Sequence, residues 1–324
     1  MKRDAILVGD AGGTNVRFAL AHADGDRVIV SDIWKQPGAA FTTFEAAMQA
    51  YLAEVKQPLA GAAFGVAGAI RDGRTELLHR GWQIDRRALA AHLKVDRVVL
   101  VNDFFAMARG APEVPANELE VIAPGEPDPQ GAVVVGGPGT GLGIGVLRRV
   151  QSSWIVVAGE GGHQAYGPQT EIEWKVAEAL RRRGIYVSNE VVASGSGFKD
   201  TQAALAEVMG VPNRDLSQAD VIASAGHGDR FALEFCRLRA RTVMTTLGNM
   251  ALAAYATGGV FVAGGVSQRL LPWLKEREAL DRFYQRGPRT QLLATIPLQL
   301  ITSEAAPLIG AAHLWLDEQA RGWL

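Results

Sequence analysis

The strongest constraint on this chain is a rhythm that it uses twice. Ile6-Leu7-Val8 is an apolar run that stops at Gly9-Asp10 and Gly12-Gly13, after which Val16, Phe18 and Leu20 alternate with other residues at a period of two. That order reads as strand, glycine turn, strand. Residues 132–135 repeat it, leading through Gly136-Gly137-Pro138-Gly139-Thr140-Gly141-Leu142-Gly143 into Ile144-Gly145-Val146-Leu147. The two halves read as distant copies of one unit.

With 324 residues the chain exceeds the size at which a single core stops growing, which favours two domains around a cleft. Pro112, Pro115, Pro124, Pro127 and Pro129 crowd into 111–131, the expected crossing between domains. Helical spacing covers 41–55 and 86–93, and 60–66 reads as an apolar strand. Val98-Val99-Leu100-Val101 is all apolar, as in a strand buried on both faces, and it delivers Asn102-Asp103 at its C-terminal end. Helical patterns dominate from 170 to 256, notably 171–183 and 229–256, the second as either subunit interface or internal core. Val260-Phe261-Val262-Ala263 then precedes Gly264-Gly265, and 305–318 reads as an amphipathic helix packing back on the first domain. The expected boundaries are a small α/β domain over 1–111, completed by a C-terminal helix within 305–324, and a large α/β domain over 112–304.

Composition narrows the partners. The 33 basic and 34 acidic residues leave a formal charge of -1, without the excess that nucleic-acid or membrane binders display, so a small-molecule ligand is expected. Cys236 is the single cysteine, which rules out an intramolecular disulfide and a cysteine-rich zinc cluster and suits a reducing cytosol. No signal-peptide pattern opens the sequence and no apolar run reaches the roughly 18 residues of a membrane span, so a cytoplasmic protein is expected.

Four groups of residues carry candidate chemistry. Between two strands, Asp10-Ala11-Gly12-Gly13-Thr14-Asn15-Val16-Arg17 offers backbone amides to a phosphate, with the Asp10 carboxylate placed to hold Mg²⁺ through water; the plainer alternative is a glycine hairpin. The run 136–145 holds too many glycines for a helix or strand centre, so a backbone-lined loop closing on an anion is expected, against a flexible loop with no ligand. It fits neither G-x-G-x-x-G nor G-x-x-x-x-G-K-[ST], and the chain lacks the protein-kinase motifs. Asp103 stands where a buried strand ends, the edge at which α/β proteins gather catalytic side chains, although Asn102 or Asp103 could equally cap the next helix. Gly159-Glu160-Gly161-Gly162-His163 offers an acceptor and a donor to a polyhydroxylated ligand, and one His with one Glu falls short of a zinc site. Glu190 is either a further sugar acceptor or a charge at a helix start, and spacing does not separate these.

Five blocks together resemble the bacterial glucokinases of the hexokinase and actin-like ATPase superfamily, over essentially the whole length. They are Gly9-Asp10-Ala11-Gly12-Gly13-Thr14-Asn15, Val101-Asn102-Asp103-Phe104, Gly139-Thr140-Gly141-Leu142-Gly143, Gly159-Glu160-Gly161-Gly162-His163 and Gly258-Gly259-Val260-Phe261-Val262-Ala263-Gly264-Gly265-Val266. The resemblance implies an α/β, two-domain actin-like ATPase (ribonuclease H-like) fold with a cleft between a small and a large domain. It implies ATP and Mg²⁺ as cofactors, glucose as substrate and a homodimer, with no nucleic-acid or membrane partner. ATP would be held by Gly9, Asp10, Ala11, Gly12, Gly13 and Thr14, by Gly139, Thr140 and Gly141, and by Gly264 and Gly265 near adenosine. Asn102, Asp103, Glu160, His163 and Glu190 would grip the sugar hydroxyls, and Asp103 would be the catalytic base. Its placement is expected to matter more than its pKa. One departure is visible: family members often carry Thr-Asn shortly before the residue matching Trp82, where this chain has Leu78-His79. A kinase for another hexose and a catalytically silent sugar sensor are the rival readings.

Overall fold

The computed structural model of the protein describes residues 5–25, 27–77, 80–151 and 153–321. They fall into two compact units, Met1–Glu118 with Val150–Val156 and Ser303–Leu324, and Leu119–Arg149 with Val157–Thr302. The first unit thus runs to 118 and takes in the stretch 150–156 as well as the C-terminal helix.

Unit 1 contains β1 (Ala5–Ala11), β2 (Asn15–Asp24), β3 (Arg27–Pro37), β4 (Leu59–Val66), a separate hairpin of β5 (Arg74–Leu77) and β6 (Trp82–Asp85), and β7 (Val98–Asn102). The main sheet runs β3-β2-β1-β4-β7, with β1, β2 and β3 antiparallel in turn and β4 and β7 parallel to β1. Both faces of this sheet are covered, which is why β1 is apolar without alternation. Leu7 points into an aromatic core with Phe18, Phe44, Phe64 and Trp82, while Ile6 and Val8 face Ala63, Val99, Leu308 and Trp315. Phe44 meets Phe18 at 5.4 Å and Phe64 at 5.2 Å, both edge-on, the preferred geometry for aromatic pairs.

The second face is closed by two helices, Asp103–Gly110 and the C-terminal Ala306–Arg321. Arg109, buried between them, donates from Nε to Asp317 Oδ2 at 2.8 Å and from Nη1 to Glu113 Oε1 at 2.9 Å. Removing either acid would leave a buried cation short of a partner, so the pair fixes how the helix that begins at Asp103 lies on its sheet.

The second main sheet is built from β8 (Leu119–Ala123), β9 (Val133–Pro138), β10 (Leu142–Val150), β11 (Ser153–Gly159), β12 (Gly259–Val262) and β13 (Leu298–Ile301), in the order β11-β10-β9-β12-β13-β8. Strand β9 is antiparallel to β10 and parallel to β12, which is parallel to β13. Omitting β8, this is the order of unit 1, so the repeated rhythm in the sequence corresponds to a repeated sheet. Strand β8 lies within the proline-rich stretch expected to be a plain crossing; it fits between Pro115 and Pro124 as an antiparallel edge strand on β13, where prolines at either end interrupt no ladder.

Most of the helix Arg230–Ala254 is internal core: Phe235, Leu238, Val243 and Leu247 are at most 1 % exposed. Asp229 starts it by accepting from Ala232 N at 2.9 Å. Its buried threonines are satisfied within the helix, Thr242 Oγ1 donating to Leu238 O and Thr246 Oγ1 to Thr242 O, each at 2.8 Å. Among the described residues no helix is long and apolar enough to cross a membrane.

Candidate active site

In unit 1 the register brings the C-terminal ends of three parallel strands side by side: Ala11 is opposite Val66, and Val66 is opposite Asn102. Asp10, Gly65 and Val101 form the row before them. This is the edge at which an α/β sheet presents ligand-binding groups. Strand β1 leaves it through Gly12 and Gly13, and the turn is closed by Gly12 N donating to Asn15 O at 3.2 Å. Asp10 and Arg17 are cross-strand partners, and Arg17 Nη1 donates to Asp10 Oδ2 at 2.6 Å. Burial drives the Asp10 pKa up, and the Arg17 charge and hydrogen bond oppose it without cancelling it.

At the end of β7 the capping role falls to Asn102. Its Oδ1 accepts from Phe104 N at 3.0 Å and Phe105 N at 3.3 Å, and its Nδ2 donates to Gly68 O at 3.2 Å. Asp103 is thereby the first residue of the helix, with Oδ1 accepting from Phe104 N at 2.8 Å. Burial raises its pKa, the negative charge of Asp10 raises it further, and the Phe104 amide pulls the other way, leaving it at about 6. Placement and pKa are therefore set by the same surroundings.

In unit 2 the glycine loop is shorter than expected. Gly136 and Gly137 lie inside β9, and Gly143 and Gly145 inside β10, leaving Gly139-Thr140-Gly141 as the turn. Close packing, not flexibility, explains the strand glycines: a Cβ on Gly137 would sit 1.9 Å from Ala263 O. The turn is wired to the segment that follows Glu190. Gly139 N donates to Gly141 O at 2.8 Å, Gly195 N to Gly139 O at 2.9 Å and Ser196 N to Thr140 O at 2.8 Å. Gly264, at φ +90°, approaches from the other flank, where a Cβ would fall 2.4 Å from Pro138 O. Gly265 then opens the helix Gly265–Leu274, whose N-terminal amides offer further anion contacts.

Glu190 is more than a charge at a helix start. Its Oε2 accepts from Leu142 N at 2.8 Å, at the exit of the turn, and its Oε1 from Ser196 Oγ at 3.4 Å. His163 is exposed between two carboxylates, with Nδ1 3.8 Å from Glu160 Oε2 and Nε2 3.8 Å from Glu190 Oε1. Both separations exceed a hydrogen bond, so all three side chains keep capacity for a polar ligand. Sequence reasoning missed the supports of both turns, Gly195 and Ser196 in this unit and Arg80 in the other. Their partners are remote in sequence, and no spacing rule reaches them. Leu78 and His79, at the departure from the usual Thr-Asn, lie outside the described residues.

A family model described as Glucokinase matches residues 7–318. This chain belongs to the glucokinase family. Among curated relatives, the glucokinase of Chromobacterium violaceum is 36% identical over 318 residues, covering 95% of this chain and 88% of that protein. The glucokinase of Saccharophagus degradans is 33% identical over 316 residues, covering 96% and 98%. Among solved structures, glucokinase from an Antarctic psychrotroph aligns with a TM-score of 0.88 at 33% identity, over 98% of this chain and all of that one. At 21% identity and a TM-score of 0.63, a ROK family glucokinase from Streptomyces griseus, solved with glucose and AMPPNP, shares the fold over 96% of this chain and 98% of that one.

Proposed function

We propose that this member of the glucokinase family transfers the γ-phosphoryl group of ATP to the 6-hydroxyl of glucose with Asp103 as the general base. The activity is that of its family, an ATP:hexose 6-phosphotransferase that yields glucose 6-phosphate and ADP. The observation that carries the choice of base is Asp103 itself: a carboxylate at a strand tip, positioned by the Asn102 cap and raised to about 6. Such a group is ionised at neutral pH yet basic enough to take a hydroxyl proton as the oxygen attacks. The chemistry then asks chiefly for positioning and charge stabilisation.

The remaining roles follow the chemistry of each group. Asn102, Glu160, His163 and Glu190 bind sugar hydroxyls; the turns at Gly12-Gly13-Thr14 and Gly139-Thr140-Gly141 offer amides to the phosphates; Gly264 and Gly265 lie toward adenosine. Gly9 and Ala11 flank the Asp10 carboxylate within β1. The Mg²⁺ of this reading would be held mainly by phosphate oxygens and water. We assign Asp10 the water-mediated contact to Mg²⁺, since its strand leads directly into the first glycine turn. When bound, the ion neutralises charge on the phosphoryl oxygens. The repeated strand order of the two units supports the hexokinase and actin-like ATPase superfamily with ribonuclease H-like domains. We also propose that the protein acts as a homodimer in the cytoplasm, as the family resemblance implies.

The deciding experiment is ADP release with glucose, mannose, fructose and glucosamine, run on the wild type and on Asp103→Asn. Glucose should give the highest kcat/KM, and the variant should keep glucose binding while kcat falls at least about a hundredfold. A faster rate with another sugar overturns the substrate, unchanged turnover removes Asp103 from its role, and binding without ADP release marks a sensor.

A further inference from the structure

The carbonyls of the first glycine turn are held by a cation that no motif announces. Arg80 stands in the turn of the β5–β6 hairpin, where its amide and that of Gly81 donate to Leu77 O at 2.9 and 2.8 Å. Its Nη2 donates to Gly13 O at 3.0 Å and to Thr14 O at 2.7 Å. Thr14 O receives a second donor, Gly38 N, at 3.0 Å. The guanidinium has little freedom. The Trp82 ring centroid lies 5.3 Å from Cζ, and Trp82 is itself buried and packed against Phe44. A side chain at Gly38 would have to displace the guanidinium, since a Cβ would fall 2.5 Å from Arg80 Cζ.

A trans peptide is a rigid plane in which C=O and N–H point in opposite directions. Fixing the carbonyls of Gly13 and Thr14 therefore fixes the amides of Thr14 and Asn15 the other way. At the turn itself there is open volume, because a Cβ built on Gly12 meets nothing within 4 Å. A turn free to rotate its peptides would have to be ordered by each incoming phosphate; one whose carbonyls are already clamped presents oriented dipoles at no further reorganisation.

We propose that Arg80 is a positioning residue for the nucleotide, clamping the Gly13 and Thr14 carbonyls so that the amides of this turn are preset toward the phosphates of ATP. The inference rests on reading the turn as a phosphate turn, and the test separates the two. Arg80→Met, Arg80→Lys, Gly38→Ala and Gly12→Val are compared for kcat, KM for Mg·ATP, KM for glucose and melting temperature. Arg80→Met should raise KM for Mg·ATP about tenfold or more while KM for glucose stays within about twofold. Arg80→Lys should recover most of the loss, because an ammonium can donate to both carbonyls. Gly38→Ala, which pushes the guanidinium aside without changing it, should resemble Arg80→Met and add nothing to it in the double variant. Should Arg80→Met fail to fold, the lysine and Gly38 variants carry the same comparison. If Gly12→Val raises KM for Mg·ATP and neither Arg80→Met nor Gly38→Ala does, the turn keeps its role and the clamp is wrong. If Gly12→Val leaves KM for Mg·ATP unchanged, the phosphate turn itself falls. A loss spread equally over both KM values, tracking a lower melting temperature, would make Arg80 a structural residue only and overturn the proposal.

Discussion

The charge on Asp10 helps hold the Asp103 carboxyl at about 6, second only to burial as a cause. The two acids come from different strands, β1 and β7, and meet because both lie near the C-terminal ends of parallel neighbours of β4. A base that works ionised loses its function when protonated. The acid limb of kcat/KM should therefore fall through a midpoint near 6, and Asp10→Asn should lower the Asp103 midpoint, read by carbon NMR of the side-chain carboxyl. An Asp103 midpoint that does not move in Asp10→Asn would disprove the electrostatic link.

The same shift carries a stability cost at neutral pH. A carboxyl raised in the folded state binds its proton more tightly there than in the unfolded chain. Its favourable contribution is complete below the unfolded pKa, 3.8, and is lost as pH rises through about 6. Asp103→Asn removes that dependence, so the variant should be more stable than the wild type at pH 7, by about 3 kcal/mol, with the gap narrowing toward pH 4. Urea denaturation at the two pH values measures it. Equal midpoints at pH 7 would show that the native site does not strain this carboxylate.

Much of this was legible in the residues, and the exceptions share a cause. The strands β1, β4 and β7 are buried on both faces and read as apolar runs, and Asp10 and Asp103 follow from where those runs stop. The glycines of β9 and β10 misled because intrinsic preference argues against strand, whereas the close approach of Ala263 to Gly137 demands a residue without a Cβ. Strand β8 was hidden by its flanking prolines. The choice of Asn102 as cap, the bond from Leu142 N to Glu190 and the reach of Arg80 to Thr14 are tertiary facts, set by register and packing between segments that sequence spacing does not connect.

Two glycines two residues apart should separate packing from function. Gly137 faces the Ala263 carbonyl with no space for a methyl, whereas a Cβ on Gly139 meets nothing within 4 Å. Gly137→Ala should destabilise the protein by about 3 kcal/mol, the upper end for overpacking, because the Cβ meets backbone that cannot yield. Gly139→Val should melt near the wild-type temperature yet raise KM for Mg·ATP severalfold, because its side chain fills the mouth of the turn. A Gly139→Val enzyme with ordinary nucleotide affinity would exclude this turn from the phosphate site.

Glu190 has one oxygen for the turn and one left toward His163, so its two substitutions should fail differently. Glutamine keeps an acceptor for Leu142 N–H, at 2.8 Å in the native protein, but loses the negative charge beside His163. Alanine also strands the Leu142 amide, a loss of about 1–3 kcal/mol where the group stays out of water. Glu190→Gln should therefore raise KM for glucose while KM for Mg·ATP stays close to native, and Glu190→Ala should raise both. Were Glu190 only a solvated helix-start charge, neither variant would shift either constant by more than about twofold. If alanine raised KM for glucose alone, the bond to Leu142 would not be what holds the second turn in shape, and the sugar contact would be the whole of its role.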